Sequence, residues 1–169
     1  MADTLSVDLN FVLRAVWKDT QDLGSILDSP FLNLDDSLAD GVGLDLADII
    51  WHDRRTVTAA AETLDLSALT RTVFGDSATI AFVKIKGLVI RNRNAVAGEN
   101  LTVGNAAANG WTGWTNPATA TTAIGPNAWR GFWEPSLAGV AVAGGSKNLK
   151  LDPGAATIAY DIFVLGTSA

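Results

Sequence analysis

Few residues of this 169-residue chain have the types and spacing that catalysis needs. There is no cysteine, which removes thiolate nucleophiles, iron–sulfur ligation and every zinc site that uses cysteine. The single histidine, His52, is followed by Asp53. Neighbouring residues of a strand point to opposite faces, so this pair cannot form the histidine–carboxylate hydrogen bond of a catalytic triad. We therefore expect no enzymatic activity and interpret His52 as a structural or surface residue.

Two other patterns resemble ligand sites without having their spacing. Five aspartates lie close together in the sequence, and a hard cation such as Ca²⁺ prefers carboxylate oxygens; they are Asp35, Asp36, Asp40, Asp45 and Asp48. They lack the regular Asp-x-Asp-x-Asp-Gly ladder, so we assign no metal site, although the sequence leaves cation binding open. The run AGGSK over residues 143–147 lacks P-loop spacing and predicts a hairpin turn. We expect no cofactor.

Aromatic residues cluster in the weakly charged second half of the chain, within GWTGWT and WRGFW: Trp111, Trp114, Trp129, Phe132 and Trp133. One interpretation is that these rings stack on sugars, as in a carbohydrate-binding sandwich. The other is that they fill the sandwich core or a subunit interface, where Trp and Phe are enriched. So many rings with so few charges around them favour a surface that is covered in the working state. These five residues are our candidate interface.

Charge is distributed unevenly along the chain, whose formal net charge is −6. Residues 1–76 hold 14 acids against five basic residues, whereas residues 77–169 hold four acids against seven basic ones. An acidic front half argues against nucleic acid as a partner, because that binding needs a basic stripe. It indicates either a solvated Asp-rich region or self-association between oppositely charged faces.

No segment of the sequence is typical of a membrane or secreted protein. The longest uncharged stretch, from Asn100 to Trp129, is rich in Gly, Asn and Thr and lacks the apolar span of about 20 residues that a membrane helix needs. The N-terminus has neither a basic n-region nor an apolar h-region, so we expect synthesis in the cytoplasm and no membrane partner.

Apolar residues alternate with polar ones along several segments, as in half-buried strands. The pattern runs from Leu5 to Trp17, through Thr79 to Ile90 with a predicted bulge at Gly87, and from Ile158 to Val164. Short strands at about 8–12-residue spacing predict a single all-β domain with an antiparallel β-sandwich. Pro30, three glycines and many aspartates interrupt residues 19–48, so we predict a long Asp-rich loop there, with short strand pieces such as residues 31–34. Residues 12–18 or 67–74 are candidates for one short helix.

The pattern over residues 45–168 resembles small structural proteins of tailed-bacteriophage virions, the decoration or cement proteins and related minor head proteins. Six motifs carry the resemblance: Trp-x-Asp-x-Arg at 51–55 leading into Leu-Asp-Leu at 64–66, FVKIKGLVIRNRN at 82–94, Leu-x-Val-Gly at 101–104, Ile-Gly-Pro at 124–126, and Tyr-Asp-Ile-x-Val-x-Gly at 160–166. These are strand and turn patterns without catalytic content. Residues 1–44, an N-terminal strand and acidic loop region, lie outside it.

The resemblance implies a jelly-roll-like sandwich that binds the major capsid protein on the outside of a capsid and stabilises the shell. It also implies a homo-oligomer, often a trimer, located in the virion after synthesis in the host cytoplasm. The alternative function is a carbohydrate- or receptor-binding module of a phage fibre or spike.

Overall fold

The computed structural model describes residues 4–21, 24–73, 76–135 and 139–169. These residues form sixteen β-strands joined by turns and irregular segments. No helix long and apolar enough to cross a membrane occurs among them. The strands are β1 (Val7–Arg14), β2 (Trp17–Gln21), β3 (Gly24–Asp28), β4 (Phe31–Asp40), β5 (Leu46–Ala47), β6 (Ile49–Thr58), β7 (Glu62–Asp65), β8 (Leu69–Val73), β9 (Asp76–Ile80), β10 (Lys84–Asn92), β11 (Leu101–Gly104), β12 (Thr121–Ile124), β13 (Trp129–Trp133), β14 (Val140–Ala141), β15 (Asn148–Asp152) and β16 (Thr157–Thr167).

Two antiparallel sheets form the sandwich, so the predicted all-β sandwich is confirmed. One sheet has the strand order β13-β10-β16-β6, with the short β14 also paired to β10, and the other has the order β12-β11-β15-β7. The short helix considered for residues 12–18 or 67–74 is absent, because the described parts of both segments belong to strands or turns.

Pairing within the sandwich is nested. The first long strand, β6, pairs with the last, β16, and β7 pairs with β15. Inside these pairs, β10 pairs with β13 and β11 with β12. The sandwich strands therefore form four nested pairs, like the two arms of one long hairpin. Most of these pairings join residues that are far apart in the sequence.

The main core lies between the two sheets. Every second residue of β16 is buried there, at Ile158, Tyr160, Ile162 and Val164, as the alternation predicts. Leucines of β7, β11 and β15 pack against them from the other sheet. Burying one such side chain contributes about 1.5–3 kcal/mol, so these rows supply much of the driving force for closing the sandwich.

A β-bulge in β10 decides which residues of that strand face the core. The pairing register with β16 shifts between Ile85 and Gly87, where the sequence predicts a bulge. Ile85 lies in the core before the bulge, and Leu88 and Ile90 lie there after it. A strict alternation from Ile85 would place Gly87 and Val89 on that side. The extra residue, Lys86, is buried.

Residues 19–48 contain three strands and part of a fourth in place of most of the predicted Asp-rich loop. β1 pairs with β4, and β2 pairs with β3, to make a two-stranded ribbon over residues 7–40, which we call the ribbon arm. A backbone hydrogen bond of 3.2 Å from Ala15 to the carbonyl of Pro30 bridges its two halves. Asp and Pro are tolerated because a two-stranded ribbon has solvent-exposed edges and faces, unlike a central strand.

A cluster of charged and polar side chains ties the two sheets together at one edge. Tyr160 of β16 donates a hydrogen bond of 2.6 Å to Glu62 of β7. Arg55 of β6 is bonded to Glu62 and, at 2.8 Å, to Asp53. Burial alone would raise the pKa of Glu62, but the hydrogen bonds from Arg55 and Tyr160 outweigh it and lower that pKa below its ordinary value of 4.5. Burial and the hydrogen bond to Glu62 raise the pKa of Tyr160, and Arg55 opposes that shift.

Glu62→Gln tests this inter-sheet cluster. Because the pKa of Glu62 is lowered on folding, its ionisation stabilises the fold above the unfolded pKa, and this contribution disappears as pH falls through the folded pKa. We expect the variant to lose about 1–3 kcal/mol at neutral pH and to approach wild type well below pH 4.5. Urea unfolding across this pH range measures the difference. Asp28→Asn removes one exposed charge as the control, and an equal deficit at every pH would contradict the linkage.

Candidate interaction site

A second hydrophobic cluster lies outside the sandwich, on the face of the five-stranded sheet that is turned away from the four-stranded sheet. We call this the outer face. Leu38, Ala47 and Leu165 are buried there, and Val7 and Phe163 pack against them. The base of the ribbon arm, around Val7 and Leu38, therefore covers part of the outer face. The sequence requires such a cover, because β16 carries large apolar residues on both of its faces.

Trp133 fastens the ribbon arm to the sheet. Its Nε1 donates a hydrogen bond of 2.9 Å to Oδ2 of Asp36 in β4. Directly across from Trp133 in the sheet is Gly87, and a Cβ at that position would lie 2.9 Å from Cε3 of the ring. Glycine therefore allows the indole to lie against the strand. Further out, the rings of Phe11 and Trp129 meet edge to face with centroids 6.2 Å apart.

Lys86 holds the loop at the base of the ribbon arm. Its side chain is 1% exposed. Its Nζ donates to the carbonyl oxygens of Gly43, at 3.1 Å, and Pro135, at 3.2 Å. The backbone N–H of Asp45 donates to the same Pro135 oxygen at 2.9 Å. Burial lowers the pKa of Lys86, and the carboxylate of Asp45 opposes that shift. The bulge in β10 thus ties the loop after β4 to the segment after β13.

A cleft of about 380 Å³ lies between the ribbon arm and the outer face. We call it the aromatic cleft. Apolar side chains from both sides line it: Val7, Leu9, Phe11, Leu34, Val89, Trp129, Phe132, Trp133 and Phe163. Among the described lining residues, Asp8 alone is charged. Such a surface binds apolar side chains and offers few groups for acid–base chemistry.

The outer part of the ribbon arm exposes apolar side chains on both strands. We call residues 12–21 and 24–33 the distal ribbon. Leu13 is 54% exposed and its cross-strand partner Leu32 is 46% exposed. Among the side chains described there, Val12, Val16, Leu27 and Phe31 are also exposed. The guanidinium of Arg14 lies 5.3 Å from the centre of the Phe31 ring and covers part of it.

The five residues of the candidate interface divide between two places. Trp111 is 2% exposed in the sandwich core, and Trp114 and Phe132 pack against that core. Trp129 and Trp133 alternate with Phe132 along β13 and lie on the outer face, where both line the aromatic cleft. Trp129 is 54% exposed. Phe132 also lines this cleft, so in the single chain the structure brings three of the five to the candidate site, and their role in an interface stays a prediction.

The GWTGWT segment packs tightly because of its central glycine. A Cβ at Gly113 would lie 2.3 Å from the Trp111 ring. Trp111 also donates from Nε1 to the carbonyl of Ala141 at 2.9 Å, and its ring lies 6.1 Å from that of Phe132. These contacts place Trp111 in the interior as a packing residue.

The other sequence candidates do not converge. His52 and Asp53 are consecutive in β6, and His52 is exposed while Asp53 accepts a hydrogen bond from Arg55.

The five aspartates considered for cation binding are spread out. Asp36 accepts a hydrogen bond from Trp133, Asp40 from the N–H of Leu5, and Asp48 from Ser168. No group of three or more His, Cys, Asp or Glu side chains in the described ranges is placed to hold a metal ion. The hairpin turn predicted at 143–147 is present, with Ala143 and Ser146 bridged.

Sequence reasoning missed most of the aromatic cleft. Phe11 and Leu34 belong to a ribbon, and the sequence predicts mostly loop for its second strand. The alternation places Phe163 on the back of β16 but Val89 on the core side of β10 with Ile85, and the bulge moves Val89 to the outer face. One signal could have found them. Phe163 and Leu165 add large apolar residues to the second face of β16, which indicates a strand covered on both sides.

Comparisons of this chain with protein-family models, with curated proteins and with solved structures found no match.

Replacing single tryptophans separates the core ring from the surface ring. Trp111→Ala opens a cavity in the core, so we expect it to cost about 3–5 kcal/mol of folding stability. Trp129→Ala removes a half-exposed ring and should cost less than about 1.5 kcal/mol. Urea unfolding of both variants measures this order. Equal losses would show that the two rings are buried to the same extent in solution.

Trp133→Phe tests the fastening of the ribbon arm. The variant keeps an aromatic ring but loses the hydrogen bond to Asp36, so we expect the amides of β1 and β4 to exchange with solvent about tenfold faster. Hydrogen exchange followed by NMR measures this. Trp114→Phe is the matched control, because its Nε1 donates to no described residue. Unchanged exchange in Trp133→Phe would show that Asp36 does not hold the ribbon.

Proposed function

We propose that this chain is a structural protein that acts by binding other protein subunits, with the ribbon arm as its binding element. The distal ribbon carries this proposal, because it exposes apolar side chains on both of its strands. Leu13 and Leu32 lie side by side on one face of the ribbon, and exposed apolar side chains that cluster in this way are typical of protein interaction sites. A partner that covers it gains about 25 cal/mol for each Å² of apolar surface removed from water.

More specifically, we propose that the chain is a decoration protein that binds the major capsid protein on the outside of a tailed-phage capsid. It works as a homo-oligomer in the virion. The motif resemblance over residues 45–168 supports this form. The nested strand pairing supports it too, since pairing the first strand with the last and so on inward is the arrangement of a jelly roll, which is common in capsid proteins.

The use of charged residues also supports a structural function. The acids with lowered pKa values bind basic partners that tie strands or turns together. Asp161 accepts hydrogen bonds from Arg54 and Arg93, both at 2.8 Å, and Asp65 binds Lys147 at 2.7 Å. The Arg54 and Arg93 hydrogen bonds lower the pKa of Asp161. These carboxylates form ion pairs that stabilise the sandwich.

A second candidate, carbohydrate binding, is favoured by one observation. Beside the exposed Trp129 ring lies a groove of about 390 Å³ that is also lined by Arg130, Glu134 and Thr122. A sugar ring stacked on Trp129 would find hydrogen-bonding groups there for its hydroxyls. Retention on a polysaccharide column that Trp129→Ala abolishes would support this candidate over the structural one.

Fractionation of the source material on a sucrose gradient tests the decoration proposal. We expect the chain to sediment with assembled particles at a fixed ratio to their major capsid protein, as measured by quantitative mass spectrometry. Recovery in the slowly sedimenting fractions alone would contradict it.

Rebinding to particles stripped of the protein tests the ribbon arm. The double variant Leu13→Lys/Leu32→Glu replaces two apolar side chains with a favourable cross-strand ion pair, so the ribbon stays paired and the net charge is unchanged. We expect its affinity to fall at least about 30-fold if the arm supplies central contacts. Val96→Thr, at a residue 59% exposed in a turn of the sandwich, is the control. Wild-type affinity in the double variant would place the binding surface elsewhere.

A further inference from the structure

The strand β6 forms an open edge of the five-stranded sheet. It is the terminal strand in the order β13-β10-β16-β6, and only its β16 side is paired in the part of the chain that the structure describes. It is ten residues long, whereas proteins commonly keep their edge strands short or irregular. An open strand of this length offers a row of backbone donors and acceptors to a further strand.

The phase of the pairing shows which residues of β6 point outward. The N–H of Ala59 donates to the carbonyl oxygen of Ala156 at 3.0 Å, which continues the register in which Thr58 lies opposite Thr157. Hydrogen-bonded positions alternate along each strand of an antiparallel ladder. The odd-numbered residues of β6 therefore bond to β16, and the even-numbered ones direct their N–H and C=O groups away from it. These outward residues are Ile50, His52, Arg54, Thr56 and Thr58.

The middle of this edge is accessible to a partner strand. His52, Arg54 and Thr56 are exposed, and within the described ranges their N–H and C=O groups make no backbone hydrogen bond to a neighbouring segment. The hairpin of β8 and β9 approaches β6 nearer its beginning, where Nε1 of Trp51 donates to the carbonyl oxygen of Thr70 at 3.0 Å. The open stretch therefore lies between residues 52 and 58.

The side chains of β6 are complementary to those of a second β6 strand that runs antiparallel to it. With Arg54 on a two-fold axis, Asp53 lies opposite Arg55 of the second copy, and Arg55 lies opposite Asp53 of that copy. Opposite charges in directly opposed positions stabilise a strand pair. Within one chain Asp53 and Arg55 are joined at 2.8 Å, but their side chains remain 41% and 33% exposed. Both can therefore reach a further partner across the axis.

This register is also the one that avoids like charges on that face of the sheet. Moving the axis by one residue places Asp53 opposite Asp53, or Arg55 opposite Arg55, and such pairs are destabilising. On the other face the two Arg54 side chains meet at the axis, and Asp161 of each chain binds its own Arg54 at 2.8 Å. The charges of β6 thus oppose other registers and select this one.

We propose that two copies of this chain associate by antiparallel pairing of their β6 edges, with Arg54 on the two-fold axis. The two five-stranded sheets then form one continuous sheet. Both copies use the same patch, so the contact closes a dimer. This inference rests on the proposed function in that it names the contact of the homo-oligomer, and it leaves the ribbon arm outside that contact.

Amide hydrogen exchange followed by NMR tests the contact residue by residue. In the dimer the N–H groups of His52, Arg54 and Thr56 bond to the second copy, so we expect their exchange to slow at least about tenfold from low to high protein concentration. The N–H groups of Asp53 and Arg55 bond to β16 in monomer and dimer alike, and they are the internal control. Exchange at the even-numbered positions that is independent of concentration would contradict the proposal.

Two substitutions of one residue test whether the outward N–H groups are needed. Thr56→Pro removes an N–H that points away from β16, which an edge strand tolerates, whereas Thr56→Ala keeps it. In sedimentation equilibrium we expect wild type and Thr56→Ala to dimerise alike. Thr56→Pro should dissociate with a constant at least about 30-fold higher. Thermal melting confirms that both variants are folded.

A charge reversal tests the register without changing the backbone. Asp53→Lys places a positive charge opposite Arg55 of the second copy, so we expect it to weaken dimerisation at least about tenfold. Asp35→Lys makes the same change of charge at an exposed position of the ribbon arm and is the matched control. Its dissociation constant should stay close to that of wild type.

Disulfide formation gives a direct measure of the register. The chain has no cysteine, so each cysteine variant carries a single thiol. Arg54→Cys places two thiols across the axis with their Cα atoms about 5.5 Å apart, which suits a disulfide. Thr58 lies opposite Ile50 of the second copy. We therefore expect oxidation to join Arg54→Cys to itself, and Thr58→Cys to Ile50→Cys but not to itself.

Three outcomes would overturn the inference: a monomeric wild type at the highest concentration reached, Thr56→Pro or Asp53→Lys variants that dimerise like wild type, or equal disulfide yields from Arg54→Cys and Thr58→Cys. Rebinding to stripped particles separates this failure from that of the proposed function. A monomeric chain that binds particles overturns the β6 contact alone. A dimer that never sediments with particles overturns the decoration proposal alone.

Discussion

The pairing of β6 with β16 is the constraint on which the rest of the structure depends. These two strands lie at opposite ends of the sandwich sequence, and their register runs continuously from Ile49 opposite Gly166 to Thr58 opposite Thr157. Only when they meet does the five-stranded sheet have two complete faces. The inner face then closes the main core, and the outer face supplies the floor on which the ribbon arm rests. Because this contact closes a very long loop, we expect the ribbon to dock late in folding.

The bulge at Lys86 connects the sandwich to the candidate interaction site. A regular strand would place Lys86 on one of the two apolar faces of β10, with its charge far from water. The bulge turns it toward the carbonyls of Gly43 and Pro135, which satisfy the ammonium group. The same irregularity puts Gly87 under the Trp133 ring. One local departure from strand geometry therefore positions both the loop at the base of the ribbon arm and the indole that fastens it.

Sequence patterns could predict the parts of the fold that are local. The alternation from Ile158 to Val164 gives the central strand and its buried face, and Gly87 marks the bulge. They could not predict the nested pairing, because no local pattern says that β6 meets β16. They also failed at residues 19–48, where Pro30 and the aspartates indicate a loop but a ribbon with exposed edges accepts both. Of the candidate site, the sequence predicts only Trp129, Phe132 and Trp133, since the other wall of the cleft is that ribbon.

The aspartates whose presence in the sequence indicates a loop have a physical role in the ribbon arm. A two-stranded ribbon with apolar residues on both strands has unpaired edges that can nucleate aggregation. Asp8 and Asp35 lie on the same ribbon as the apolar residues, and Arg14 shields the ring of Phe31. Charges at these positions oppose random edge-to-edge pairing of ribbons that all carry the same sign. The same aspartates that indicate a loop in the sequence thus keep an exposed apolar ribbon from associating indiscriminately.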